Sequence, residues 1–233
     1  MARRSFKAGA LTAPLPPVMV SVGDMESSNI LTIGWTGILS THPARTYISV
    51  RPQRHSYKML KQTGEFVINL TTASQARTVD YVGIFTGAKV DKFSACSLTK
   101  IESEHVKAPT IAECPLALEC RVVEVIPMGT HDVFIADILG ISCDDSIIDS
   151  DGRIRLDKAD LMAYAHGEYF ALGEKLGSFG FSAKKKKSTP QKKARATVEK
   201  SAEESAKADK DGKKPFYLDA PRGKKSRGKG KKK

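Results

Sequence analysis

The chain is poor in several things that would each have assigned it a class. It has one tryptophan (Trp35), four cysteines, and no apolar run near the roughly 20 residues of a membrane-crossing helix. A helical membrane protein is therefore not expected, and the expected location is the cytoplasm. Cys96, Cys114, Cys120 and Cys143 form no Cys-x-x-Cys pair and no Cys/His metal spacing. They read as reduced thiols acting as small apolar residues, with a disulfide or a metal site as the lesser alternative. No Gly-x-Gly-x-x-Gly follows a strand, so a doubly wound nucleotide fold lacks its signature. No Ser/His/Asp arrangement is evident either, which argues against nucleophilic hydrolysis. The paired arginines of Ala2-Arg3-Arg4-Ser5-Phe6-Lys7 suggest an export signal, but Pro14, Pro16 and Pro17 interrupt the apolar segment it requires.

Acidic residues are scarce in one region only. From 184 to 233 there are 20 Lys and Arg against 6 Asp and Glu, a net of +14. Residues 1–183 keep 18 basic and 20 acidic residues, so the formal +12 belongs to the tail. Composition changes at the same point: Lys, Ala, Ser, Glu and Gly replace bulky apolar residues, too few to offset the entropy of ordering the segment. The expected organisation is one domain over 1–183 and a disordered Lys-rich tail over 184–233, interrupted by Pro215-Phe216-Tyr217-Leu218. Such a tail reads first as a solvated solubility segment; the alternative is an anchor that binds DNA or RNA weakly and without sequence preference, through counterion release. The domain itself offers no basis for a nucleic-acid surface.

What is present reads as short strands. Candidates span 18–22, 30–35, 46–50, 66–70, 116–126 and 132–142. Leu116-Ala117-Leu118-Glu119-Cys120-Arg121-Val122 alternates, with Glu119 and Arg121 on the polar face of a half-buried strand. Phe134-Ile135-Ala136-Asp137-Ile138-Leu139 is apolar on both parities and suggests cover on both sides, a partner subunit being one source. Two short helices are expected, over about 56–62 and 74–82, each with a hydroxyl at the N-cap and a glycine (Gly64, Gly83) just past the end. Many short strands with Gly, Pro and Asn between them favour a β-barrel or sandwich.

The candidate chemistry lies where small polar residues stand beside fixed cations. In Ser49-Val50-Arg51-Pro52-Gln53-Arg54-His55-Ser56, Pro52 stiffens a turn between two arginines, and His55 and Ser56 open a helix. Free backbone N–H groups at a helix start favour an anion, and arginine grips phosphate oxygens with two donors. Asn29-Ile30-Leu31-Thr32 upstream and Thr86-Gly87-Ala88-Lys89-Val90-Asp91-Lys92-Phe93 downstream have the same character. Together they suit a phosphate with a planar polar ring behind it.

These segments resemble, in order and spacing, the flavin reductase and flavoredoxin family. Asn29 to Gly37 looks like its Asn-x-x-Thr-x-x-Trp segment, and Ser49 to Tyr57 like its Arg-Pro-x-Arg-x-Ser-Tyr segment. Gly64-Glu65-Phe66-Val67-Ile68-Asn69 is similar to Gly-Glu-Phe-x-x-Asn, and Thr86 to Phe93 to Ser-Gly-x-x-Val-Asp-Lys-Phe, with Thr86 in place of serine. Ala108-Pro109 to Cys114-Pro115 and Gly129-Thr130-His131-Asp132 continue the likeness, which covers roughly residues 10–181. The resemblance implies a mainly β, FMN-binding split β-barrel of Greek-key type with a few short helices. It implies FMN held at the interface of a homodimer, with NAD(P)H as a candidate substrate. Carried over by position, Arg54, Ser56 and Lys92 hold the phosphate, with Arg51 close behind and Thr86, Gly87 and Lys89 in the same segment. Asn29, Thr32 and Thr36 face the ribityl chain or ring edge, Ser49 and Val50 lie along the ring, and Asn69 supports the site. Trp35 belongs to the same pattern, although a lone tryptophan in a strand is more often core. His131 stands where the family has Gly-Asp-His and either moves a proton near the ring or serves structure. His166 and Tyr169 resemble a late segment that closes over the site. The implied activity is a flavin or ferric reductase drawing on NAD(P)H. The alternative is a flavoredoxin-like carrier reduced by a protein partner, with free flavin or a redox protein as the other participant.

Overall fold

The computed structural model describes residues 2–183. Strands β1 (Val18–Gly23), β2 (Ser28–Ile33), β3 (Thr36–Thr41), β4 (Ala44–Val50), β5 (Glu65–Leu70), β8 (Leu116–Pro127) and β9 (Asp132–Cys143) form one antiparallel sheet, ordered β2-β1-β5-β8-β9-β4-β3. Its two edge strands, β2 and β3, are consecutive in the chain and separated only by Gly34 and Trp35. The sheet must therefore curl until its edges approach at that end. The Ser49 N–H donates to the Trp35 carbonyl at 3.1 Å and draws β4 in beside the join. At their other ends β2 and β3 are free to diverge, and this is the split β-barrel, mainly β, that the resemblance implied. The long β8–β9 pair carries two register shifts, and such bulges increase the local bend and twist.

Alternation along β1 separates two cores. Val18, Val20 and Val22 point into the barrel with Leu31, Ile48, Phe66 and Phe134, while Met19 points outward to Ile30, Val79, Val82 and Phe93. Each such fully buried side chain contributes about 1.5–3 kcal/mol. The outer cluster fixes α2 (Ala76–Ile84) and α3 (Lys92–Ala95) against β1 and β2, which brings helix ends next to the sheet's open side. Helix α1 (His55–Thr63) follows β4 directly. Short strands β6 (Lys100–Ile101) and β7 (Thr110–Ile111) pair with each other, as do β10 (Met162–Ala165) and β11 (Glu168–Ala171). Leu15 and Tyr164 exchange two backbone hydrogen bonds of 2.8 Å, so the segment before β1 lies along the β10–β11 hairpin.

Several sequence expectations need correction. Strand β3 and helix α3 were not anticipated. Gly64 ends α1 in the left-handed region (φ 64°) as expected, but Gly83 lies inside α2, which runs to Ile84. Helix α1 lacks the expected hydroxyl cap, and α2 has one only through the short turn that leads into it. Arg54 occupies the α1 N-cap without a side-chain bond, and the turn before α2 is closed by a reciprocal pair between Thr72 and Gln75. Glu119 is not on a solvent face: at 3% exposure it lies under the 102–109 segment and accepts the His105 N–H at 2.6 Å. Alternation placed it correctly opposite Leu118 and Cys120, yet a loop covers that face. All four cysteines are free, with Cys114 and Cys120 buried.

The barrel and its hairpin make one compact unit through Leu172. Residues 173–183 belong to a second unit, in which a turn at Phe181–Ala183 is described. The Lys-rich tail, 184–233, and its Pro215–Leu218 island lie outside the described residues. Among the described residues no helix is long and apolar enough to cross a membrane.

Candidate functional site

Two cavities that share Thr32, Arg54 and Gly83 lie where β2, the β4–α1 turn and the end of α2 converge. The smaller, of about 100 Å³, is a polar hollow bordered by Asn29, Arg54, Ser56, Thr86, Gly87 and Lys92. The larger, of about 260 Å³, is a slot between Leu15, Ile33, Trp35, Val50, Tyr164 and Tyr169, with Ser49, Arg51 and His131 also on its wall.

The hollow is positive and uncompensated. Lys92 is 5% exposed, and its ammonium donates to the carbonyls of Ile30 (2.7 Å) and Val82 (2.8 Å). An ammonium has three donors, so one remains. Arg54 donates from Nη1 to the Gly83 carbonyl at 2.9 Å. Among the described residues neither cation enters an ion pair. Burial first, then the Arg54 charge, pushes the Lys92 ammonium down to about 8. Helix α1 also begins here, and the first N–H groups of a helix have no intrahelical acceptor. Two unneutralised cations and a helix start together fit a phosphate.

The remaining wall is positioned by local packing. The Asn29 amide donates to Ser56 Oγ at 2.7 Å and ties β2 to the first turn of α1. Gly87 has to be glycine, since a Cβ there would lie 2.3 Å from Asn29 Oδ1. Thr32 Oγ1 donates to the Val79 carbonyl at 2.5 Å, and Gly83 lets α2 close onto Thr32, which a Cβ would approach to 3.3 Å.

The slot has aromatic walls of two kinds. Trp35 and His131 pack with ring centroids 4.7 Å apart; Tyr164 and Tyr169 do so at 5.1 Å. Burial, then the charges of Arg51 and Arg54, lower the His131 pKa below its ordinary value. Thr130 Oγ1 lies 3.0 Å from His131 Nδ1, which leaves Nε2 for other partners. Tyr169 sits 3.4 Å from Asp80 on α2, and burial together with that carboxylate pushes its phenol up to about 12. A slot with apolar faces and polar edges, continuous with a cationic hollow, fits a planar heterocycle carrying a phosphate.

Residues 11–173 match the model of the flavin reductase like domain. The chain belongs to that family. Among solved structures, the flavoredoxin of Desulfovibrio vulgaris (Miyazaki F) superposes with a TM-score of 0.73 at 31% identity, over 78% of this chain and all of that one. An uncharacterised protein of Archaeoglobus fulgidus is 33% identical over 149 residues, which is 64% of this chain and 83% of that protein. The NADPH-flavin oxidoreductase of Streptomyces viridifaciens is 25% identical over 138 residues, 55% of this chain and 68% of that protein.

Against the family pattern, the structure gathers most of the expected residues but not all. Asn29, Thr32, Arg54, Ser56, Thr86, Gly87 and Lys92 border the hollow. Ser49, Val50, Arg51 and His131 border the slot, and Arg51 is absent from the hollow where a phosphate role would put it. Trp35 is 40% exposed on the slot wall and is not core. Four expected residues lie elsewhere. Thr36 donates its hydroxyl to the Tyr47 carbonyl at 2.6 Å on β3. Asn69 is fully buried in β5, where its amide donates to Met19 O (3.0 Å) and Ser21 Oγ (3.1 Å) and accepts the Ile111 N–H (3.0 Å). Lys89 borders a separate, outer cavity. His166 is exposed at the β10–β11 turn with φ 51°, and its neighbours Tyr164 and Tyr169 face the slot instead. Leu15, Gly83 and Tyr164 were missed, for none carries a chemical signature. Only the Leu15–Tyr164 pairing and the α2–β2 contact bring them to the slot.

Proposed function

We propose that the hollow and slot hold FMN and that the chain is a flavin-dependent oxidoreductase of the flavin reductase type. It passes electrons from NAD(P)H to a flavin, ferric or protein acceptor. The observation that carries this reading is the pair of cations, Arg54 and Lys92, facing one hollow with no acid to balance them. When bound, the flavin supplies hydride acceptance and onward transfer of electrons singly or in pairs. The protein's residues bind and orient. Arg54, Lys92 and the start of α1 take the phosphate, and Asn29 holds the Ser56 hydroxyl in position for it. Trp35 and Val50 line the slot, and Tyr164 and Tyr169 narrow its mouth. Arg51 offers fixed positive charge where electrons accumulate. His131, kept neutral near pH 7 by burial and two arginines, has Nε2 free to hold or pass a proton at the slot wall.

The 31% identity to a flavoredoxin across that protein's whole length favours a second reading, an electron carrier reduced by a protein partner. Anaerobic mixing of FMN-loaded protein with NADH or NADPH separates the two. Prompt bleaching of flavin absorbance is the expected result; failure to bleach, with ready reduction by dithionite, supports the carrier and sinks the reductase.

The same reading includes a homodimer. The edge strand β3 exposes Ile38 (63%) and Leu39 (50%) next to the slot residue Trp35. An uncovered apolar edge strand is a template for association.

A further inference from the structure

His131 stands where the backbone pairing of its own strand gives out. Strand β9 begins one residue later, at Asp132, and the β4–β9 ladder ends on the pair Val50–Asp132. On the β8 side the His131 carbonyl still accepts the Met128 N–H at 2.8 Å. On the β4 side no rung of the ladder reaches His131, and a side chain takes over. The Tyr57 hydroxyl donates to Asp132 Oδ2 at 2.5 Å.

Tyr57 is fixed on three sides. It lies in the first turn of α1, directly after Ser56, and its ring meets the buried Phe134 edge-on with centroids 5.6 Å apart. Its N–H donates to the Arg54 carbonyl (2.9 Å), and the Arg54 N–H donates to the Arg51 carbonyl (3.0 Å). The turn that carries both arginines is thus tied to the same residue. The bond to Asp132, then burial, raises the Tyr57 pKa, so its hydroxyl remains a donor. Asp132 follows the inward parity of Phe134 and Ala136, whereas His131 turns the other way, toward Trp35. The groups that share the slot with the His131 ring are Arg51 and Arg54 from the turn, Trp35 from the β2–β3 join, and Tyr164 and Tyr169 from the hairpin. The Asp132 carboxylate is committed to Tyr57 instead.

We propose that Tyr57 and Asp132 are positioning residues for His131: their bond straps the start of α1 to the start of β9 and holds the imidazole against Trp35 and the slot. This rests on the reading that His131 serves a flavin in that slot. A ring held there stays beside the two arginines and moves its proton at a fixed distance. A ring released from the strap turns toward water.

The chain's single tryptophan makes this measurable without flavin. A protonated imidazole quenches indole emission on contact, so Trp35 fluorescence against pH reports His131, whose ring lies 4.7 Å away. In the unaltered full chain, emission is expected to rise as pH climbs through a midpoint below the ordinary histidine value, and His131→Gln to abolish that step. Tyr57→Phe keeps the ring on Phe134 but loses the bond; the step should lose most of its amplitude and its midpoint should move up toward the ordinary value. Asp132→Asn keeps an acceptor for the hydroxyl and should retain the step, whereas Asp132→Ala should behave as Tyr57→Phe does. If Tyr57→Phe does not fold, the two Asp132 variants decide. A merely structural role lowers the denaturation midpoint and leaves the step alone. No step in the unaltered chain, an unchanged step in Tyr57→Phe or Asp132→Ala, or Asp132→Asn matching Asp132→Ala overturns the strap. With FMN bound, reduction by NAD(P)H in Tyr57→Phe should slow about tenfold at unchanged KM. An unchanged rate beside a lost step overturns the positioning role. If the unaltered chain binds no flavin or is not reduced, the underlying reading fails, and the fluorescence step still decides the strap.

Discussion

Lys92 is an ammonium taken out of water and given two carbonyls but no acid, and its pKa of about 8 expresses that cost. A bound phosphate supplies the missing charge and raises that pKa, so binding takes up a proton wherever the free protein has lost one. Below about pH 8 Lys92 is charged in both states and contributes no pH dependence. Above it, FMN affinity is expected to fall by up to about tenfold per pH unit until the pKa of the bound form is reached. Riboflavin, which has no phosphate, should show no such decline. Isothermal titration between pH 7 and 9.5 checks this; equal FMN affinity across that range would place the phosphate away from Lys92. Arg54→Ala removes a charge-assisted contact of about 1.5–3 kcal/mol, a loss of roughly ten- to hundredfold for FMN and none for riboflavin. Equal loss for both ligands would move the phosphate elsewhere.

At the scale of elements, the site depends on how β2, α1 and α2 are locked to one another. Asn69 acts one layer away from it, pinning β5 to β1 and to the β7 segment through three buried hydrogen bonds. Its replacement leaves Met19 O, Ser21 Oγ and the Ile111 N–H short of a partner. Asn69→Ala should cost about 3 kcal/mol of stability, seen as a lower denaturation midpoint, while the folded fraction keeps its FMN affinity. A flavin-specific defect at unchanged stability would restore Asn69 to the site. The strands were legible from local signals: 18–22 and 66–70 are short apolar runs, here buried on both faces, and 116–122 alternates. Strand β3 was not legible, since Ile38 and Leu39 are adjacent and both exposed, and no alternation marks them. The α1 cap failed for a related reason. Ser56 is needed by Asn29 across the barrel, so its hydroxyl is not spent on its own helix.

For the molecule as a whole, the exposed apolar residues of β3 make the strongest case for self-association. On the proposed homodimer, Ile38→Glu combined with Leu39→Glu should give a monomer in light scattering where the unaltered chain is a dimer, and weaken FMN binding; a dimer that survives both changes would place the interface elsewhere. The basic segment 184–233 contributes net charge but no described wall of the slot or hollow. Its deletion should leave FMN affinity within about twofold and abolish salt-sensitive retention on a DNA column, because that retention scales with the number of cations.

Taken by itself, the sequence determined a chain of short strands, barrel or sandwich, with cationic turns spaced as in the flavin reductases, and only that likeness pointed to the barrel. Periodicity, turn residues and motif order act over a few residues and survive in one dimension. Only the tertiary structure decided which polar residues are free for a ligand. Asn29, Ser56 and Lys92 border the hollow, whereas Asn69, Thr36 and Glu119 have their hydrogen bonds taken by backbone or loops from distant parts of the chain. A side chain's chemistry is written in its identity, but its availability depends on every group that folding brings within reach.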